Sequence, residues 1–183
     1  YYLLKASNKL AKEKGACPLF HETKYSEGIL PIDTYKKELD GYANFAYKQD
    51  WEGLRESIVE HGLRNSTVTC IMPSESSSVV SNATNGIEPP REFLSVKKSK
   101  STPLKILVPE YSKLKNQYEL LWDFKEPTDY LIHCGIIQKF IDQSISVNTS
   151  YNPLHYTDNS IPLNVIVRDI LLSYKLGLNA LYY

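Results

Sequence analysis

The chain has 183 residues, 42% of them hydrophobic and 23% charged, enough for one domain with a real core and inconsistent with disorder over most of its length. Twenty-one basic residues balance twenty-one acidic ones, so no electrostatic footprint exists for a nucleic-acid duplex or an anionic membrane, and a phosphate ligand has to be held locally. The longest apolar runs, 164–167 and 170–172, are interrupted by Arg168 and Asp169 and fall short of the roughly 18 to 20 residues of a bilayer span. Cys17, Cys70 and Cys134 lie far apart without metal or redox spacing, which fits a reducing cytoplasm, and all three read as buried, inert thiols. The chain opens on Tyr1-Tyr2 without Met and reads as a piece of something longer.

In chain order, Leu3, Leu4, Leu10 and Ala11 recur at helical spacing over residues 2–14, and Gly15 supplies the stop. A loop over 17–31 leads to a second helix, capped by Asp33 or Thr34 and running to about Leu39. Trp51, Leu54 and Ile58 give a third helix from Asp50 to His61-Gly62. Residues 65–72 form a strand, and residues 78–84 a helix that stops at Asn85-Gly86. Residues 93–98 and 104–108 make a surface hairpin with a solvated tip around Lys97-Lys-Ser-Lys100. Tyr111, Leu114, Tyr118, Leu121 and Trp122 line one helix between Pro109 and Pro127, with Trp51 and Trp122 in the core. His133, Ile136, Ile137, Phe140, Ile141 and Ile145 line the next, which runs into a strand at 146–150. Leu163, Ile166, Val167, Ile170, Leu171 and Tyr174 mark a last helix from Pro162 to Gly177, followed by a strand over 178–183. Such alternation predicts an α/β fold with parallel neighbours joined by helical crossovers.

One stretch concentrates the chemistry. Met72-Pro-Ser-Glu-Ser-Ser-Ser78 joins a strand to a helix through hydroxyls, leaving backbone N–H groups without partners at the positive end of a helix dipole. A phosphate suits such a corner. The plainer alternative makes Ser74 an N-cap, with Glu75 favourable in the first turn. Capping needs fewer hydroxyls than Ser74, Ser76, Ser77 and Ser78 provide, which tilts the reading toward a ligand.

These residues resemble one family, the large catalytic subunit of class I ribonucleotide reductase. Trp51-Glu-Gly-Leu54, Gly62-Leu-Arg-Asn65, Thr69-Cys70 and Pro73 follow the family's signature spacing. Pro73-Ser-Glu-Ser-Ser77 and Asn82-Ala-Thr-Asn-Gly-Ile-Glu-Pro-Pro-Arg91 look like its substrate-phosphate loop and the segment behind it, and Leu181-Tyr-Tyr183 looks like its adjacent tyrosine pair. Gly15-Ala-Cys-Pro18 and the run from Gly28 to Tyr35 extend the likeness over essentially the whole chain.

The resemblance implies reduction of ribonucleoside diphosphates on a ten-stranded α/β barrel, with residues 1–183 as the C-terminal portion of the barrel domain. It implies that Pro73, Ser74, Glu75, Ser76 and Ser77 bind the substrate diphosphate. The Glu75 backbone N–H, rather than its repelling carboxylate, should face the phosphate. Tyr182 and Tyr183 would relay a radical, and their backbone should depart from ideal pleating, because adjacent strand residues point to opposite faces. The family's radical-forming cysteine loop, redox cysteine pair and C-terminal redox tail are not recognisable in residues 1–183, so this piece alone should be inactive, and its open strand edges should leave it poorly soluble. No cofactor is expected on this chain. A metal-containing small (beta) subunit would supply the radical, the rest of the large subunit would complete a homodimer that binds nucleotide effectors elsewhere, and thioredoxin or glutaredoxin would act as reductant. Two other readings stand beside this one: a naturally split chain that completes a partner's barrel, and an unrelated phosphate-binding α/β domain.

Overall fold

A computed structural model gives the architecture of residues 1–98 and 103–182; residues 99–102, Tyr183 and the side chains of Glu75 and Lys98 lie outside what is described. Helix α1 (Tyr2–Lys14) ends at Gly15 as expected but turns a different face inward: Leu4, Ser7, Asn8 and Ala11 are buried, while Leu3 and Leu10 are exposed. Two polar residues join the stripe because they satisfy buried backbone and side-chain groups. Asn8 Nδ2 donates to the carbonyls of Ser57 and Gly62 at 2.9 and 2.8 Å, and Asn8 Oδ1 accepts from the Ser57 hydroxyl.

After 3-10 turns at Phe20–Glu22 and Lys24–Glu27, helix α2 (Pro31–Thr34) starts ahead of the expected cap and lasts one turn. Asp33 still helps to start it, from inside the helix, by accepting from Leu30 N–H at 2.7 Å. The chain then breaks into a 3-10 turn at Lys37–Gly41. Helix α3 (Trp51–His61) is as expected, with Asp50 accepting from Gly53 N–H at 2.9 Å and Trp51, Leu54 and Ile58 buried. Arg55 ties it to α2 by gripping both Asp33 oxygens, at 2.6 and 3.1 Å.

The strand expected over 65–72 reduces to an extended segment with one bridge, Ile71 beside Ile145 in parallel. Helix α4 (Glu75–Val80) begins three residues earlier than the sequence suggests and ends where Asn82 turns the chain at φ 51°. Strands β1 (Leu94–Lys98) and β2 (Pro103–Leu107) form the expected antiparallel hairpin, whose tip falls outside the described residues. The single helix expected between Pro109 and Pro127 is broken into α5 (Tyr111–Leu114) and 3-10 turns at Lys115–Gln117 and Leu121–Asp123. Backbone partners outside the helix win there: Leu121 N–H donates to Pro90 O at 2.9 Å, and the Tyr118 hydroxyl to Pro109 O at 2.7 Å. Trp122, expected in the core, is 38% exposed.

Helix α6 (Thr128–Gln138) stops short of Ile145, because the Gln138 side chain takes over the connection. Its Nε2 donates to the carbonyls of Ile141 and Gln143, and its Oε1 accepts from Ile145 N–H. Gly135 permits the close approach here: a Cβ would stand 2.9 Å from Leu39 Cδ2 and 3.2 Å from Leu176 Cβ. Strand β3 (Ser146–Val147) follows, then 3-10 turns at Pro153–His155 and Thr157–Asn159, helix α7 (Leu163–Lys175), and strand β4 (Ala180–Leu181), which pairs with β3 in parallel. Three extended segments therefore lie side by side and parallel: 67–72, β3 and β4. The α/β class holds; among the described residues the sheets stay two-stranded and no ten-stranded barrel closes. No helix among the described residues is long and apolar enough to cross a membrane.

Helix α7 departs furthest from its periodicity. Leu163, Val167, Ile170, Leu171 and Tyr174, the expected inner face, are exposed, and Asp169 and Ser173 are fully buried instead. Buried Asp169 is paired: it accepts from the Tyr151 hydroxyl at 3.1 Å and from Arg168 at 2.8 and 2.9 Å. The cysteines also differ from expectation. Cys70 is exposed and Cys17 half-buried; Cys134 alone is buried. His133, expected to pack, is exposed, with Nδ1 2.7 Å from the Asp129 carbonyl one turn back.

The core comprises two apolar clusters. One gathers Leu4, Tyr25, Leu30, Ile32, Trp51, Leu54, Ile58 and Leu63; the other gathers Leu39, Leu131, Cys134, Ile145, Val147, Leu176 and Leu178. Asp142 joins them. Its carboxylate accepts from the Tyr25 hydroxyl at 2.9 Å, Val68 N–H at 2.7 Å, Thr69 N–H at 2.9 Å and the Thr69 hydroxyl at 3.1 Å. Thr69 reciprocates, its hydroxyl oxygen accepting from Asp142 N–H at 3.0 Å.

Removing that carboxylate strands several donors together. Asp142→Ala is expected to cost about 3 kcal/mol, against about 1 kcal/mol for Tyr25→Phe, in chemical denaturation of the complete subunit; equal small losses would show that Asp142 joins nothing. The Cys134 thiol is pushed up to about 11 from its ordinary 9, chiefly by burial, with the Tyr130 hydrogen bond opposing and the Glu88 carboxylate adding to the rise. A raised thiol pKa favours the fold fully below pH 9 and loses that contribution as pH climbs through about 11. Cys134→Ala should therefore flatten the fall of melting temperature between those two pH values, and an unchanged slope would contradict the assignment.

Candidate functional site

Parallel pairing brings the C-terminal ends of 67–72, β3 and β4 to one edge. The ladder runs Ser146 N–H to Ile71 O at 3.0 Å and Tyr182 N–H to Val147 O at 2.8 Å. Extending the register from Ile71↔Ile145 and Val147↔Leu181 places Ser74, Asn148 and Tyr182 at one level. Strands stack at about 4.8 Å, so an ideal ladder continued to that level would separate the serine corner from Tyr182 by about 10 Å. The serine corner and Tyr182 therefore lie toward one edge, and Asn148 directly follows the strand between them.

Pro73 ends the first segment because it has no N–H to continue a ladder. Ser74 follows with φ −116° and ψ 43° and occupies the N-cap position of α4, yet its side chain makes no capping hydrogen bond. The capping reading of Ser74 is thus overturned: its hydroxyl oxygen accepts from Gly86 N–H at 3.1 Å, and its own N–H donates to Asn85 Oδ1 at 2.7 Å. The first-turn N–H groups of residues 75–77 have no acceptor inside the helix and, among the described residues, no side-chain cap, leaving a positive mouth.

The hydroxyls do not act as one row. Ser76 and Ser77 are exposed, Ser77 Oγ donates back to Ser74 O at 3.3 Å, and Ser78 is buried. Glu75 opens the helix with its backbone, while the expectation for its carboxylate lies outside the described residues. Tyr182 is 58% exposed at the end of β4. The expectation for Tyr183, and for the backbone of the pair, also lies outside the described residues.

Further residues complete the edge. The segment after α4 folds back so that Asn85 and Gly86 hold Ser74, and Glu88 accepts from Asn148 Nδ2. The other side-chain atom of Asn148, Oδ1, is buried without a partner among the described residues. Beneath Asn148, the Tyr130 phenol is pushed well above its ordinary pKa, first by burial and then by the neighbouring Cys134 and Glu88. Behind α4 lies a pocket of about 300 Å³ bounded by Ser78, Asn85, Glu88, Arg91, Ile106 and Val108. Periodicity marked Asn85-Gly86 only as a helix stop, and nothing local signals that Asn85 reaches back eleven residues. Asn148 had no signal of its own, since its place depends on parallel pairing.

The model of the family described as "Ribonucleotide reductase, barrel domain" matches residues 1–183. The chain is 58% identical over 183 residues to ribonucleoside-diphosphate reductase 1 subunit alpha of Salmonella typhimurium and 60% identical to the ribonucleoside-diphosphate reductase subunit alpha of Buchnera aphidicola subsp. Acyrthosiphon pisum. It is 42% identical over 185 residues to the corresponding subunit of Enterobacteria phage T4. In each case all of this chain aligns, and it spans 24% of the relative's length. With a match from end to end, the chain belongs to the ribonucleotide reductase barrel-domain family.

Proposed function

We propose that residues 1–183 form the C-terminal portion of the barrel domain of a ribonucleoside-diphosphate reductase large subunit, and that they hold the substrate's diphosphate and carry part of its radical path. The observation that carries this reading is the family match over the whole chain. The open mouth of α4, at the same edge as Tyr182, supports it.

In this reading Pro73, Ser74, Glu75, Ser76 and Ser77 bind the diphosphate of a ribonucleoside diphosphate. The uncapped N–H groups of residues 75–77 donate to phosphate oxygens, and the exposed Ser76 and Ser77 hydroxyls add donors at the rim. The diphosphate does not react, so its binding serves to fix the ribose against the reacting groups. Tyr182 and Tyr183 pass an oxidising equivalent inward, each phenol losing an electron and a proton together and regaining both from the next donor. A metal-containing small (beta) subunit supplies the radical. The remainder of the large subunit, as a homodimer, supplies the cysteine chemistry and the effector sites, and thioredoxin or glutaredoxin restores the spent thiols. The exposed apolar face of α7 and the short sheets fit a segment that is completed by more polypeptide; in this reading the segment is inactive by itself, and the complete protein works in the cytoplasm.

Replacing Ser76 and Ser77 together with Ala in the complete subunit should weaken nucleoside diphosphate binding by about tenfold; unchanged affinity in a direct binding titration removes the diphosphate assignment. Tyr182→Phe or Tyr183→Phe should abolish turnover and leave that affinity intact, since phenylalanine keeps the ring and loses the transferable proton. Turnover at the wild-type rate in either variant removes the relay.

A further inference from the structure

We propose that Asn85 is a positioning residue for the diphosphate loop: its side-chain carbonyl locks the Ser74 peptide and so keeps the N–H groups of residues 75–77 aimed at the substrate. This rests on the reading of residues 73–77 as that loop. Ser74 sits where neither regular structure determines the peptide plane. Upstream, the last ladder bond is Ser146 N–H to Ile71 O, and Pro73 has no N–H to extend it. Downstream, Ser74 has non-helical torsions and contributes no side-chain cap, so among the described residues α4 fixes it through its carbonyl, which accepts from Ser78 N–H at 2.8 Å.

Asn85 closes this gap. Its Oδ1 accepts from Ser74 N–H at 2.7 Å while the next residue, Gly86, donates its N–H to Ser74 Oγ at 3.1 Å. One short segment thus grips Ser74 at a donor and an acceptor, and a two-point grip sets orientation as well as position. The segment is itself held. Asn82 turns the chain at φ 51°, Ala83 N–H returns to Ser78 O at 2.9 Å, and Glu88 binds Asn148 at the end of β3. Gly86 sits at φ 61°, a conformation that glycine adopts without strain.

Two consequences follow for the ligand. The Ser74 N–H is committed to Asn85, so residues 75–77 supply the backbone donors. The Ser74 hydroxyl oxygen already accepts a hydrogen bond from Gly86 N–H, which leaves its own O–H available as a donor.

The test uses the complete large subunit with its radical-supplying partner. Asn85→Ala should raise KM for a nucleoside diphosphate about tenfold while kcat stays within about threefold of wild type. Amide hydrogen exchange over residues 73–80 should speed up, with the melting temperature unchanged. KM within about twofold of wild type overturns the proposal, as does a fall in kcat and melting temperature with KM unmoved. Should Asn85→Ala fail to fold, Asn85→Ser is read in its place against the same outcomes. The Ser76, Ser77 double-alanine variant runs in parallel. If it raises KM and the Asn85 variant does not, Asn85 alone loses its role; if it also leaves KM unchanged, the loop reading fails and the proposal with it.

Discussion

The carboxylate of Asp142 is the point on which the rest of the structure depends. It lies in the connection between α6 and β3, and it receives Tyr25 from one apolar cluster and the backbone of Val68 and Thr69 from the segment that enters the serine corner. Charged acceptors strengthen each of these hydrogen bonds over a neutral counterpart. With Thr69 O also accepting from Gln143 N–H at 3.1 Å, the first parallel segment is registered against the chain that becomes β3. A slip of one residue would turn every side chain of that segment to the opposite face. Registry set at Thr69 is carried four residues on to Pro73, where the ladder ends and the corner begins.

From that registry the edge follows. β3 lies between the segment ending at Pro73 and β4, so the corner and Tyr182 flank Asn148. The chain after α4 then returns to this edge and closes it, through Asn85 and Gly86 on one side and Glu88 on the other. A diphosphate held by residues 75–77, as proposed, would lie toward the same sheet edge as Tyr182. Gly135 contributes from behind by letting α6 settle against Leu39 and Leu176.

Much of this was legible where a local rule decides the outcome. Asp50 and Gly62 bound α3 because a cap and a stop act within one turn, and the β1–β2 hairpin follows from its two short apolar runs. The serine corner was visible as composition, although the helix starts at Glu75 rather than Ser78. Legibility failed wherever a buried polar group outranked periodicity. Asn8 and Asp169 take inward positions that a hydrophobic count assigns to leucines, since each finds partners that leucine cannot offer. The helix expected around Tyr118 gives way to carbonyls of Pro90 and Pro109, distant in sequence or unreadable as acceptors. The outward face of α7 is apolar by sequence and exposed among the described residues, so its periodicity does not report the core that the helix packs on. Asn85 and Asn148 were illegible for a related reason, because their roles exist only once parallel strands are in register.

The most direct measurement is a crystal structure of the complete large subunit with an unreactive ribonucleoside diphosphate analogue bound. The expected result places phosphate oxygens about 3 Å from the backbone nitrogens of residues 75–77, with Tyr182 on the same strand edge across Asn148. A diphosphate bound away from the α4 mouth, or a Tyr182 ring on the opposite side of the sheet from it, would contradict the assignment.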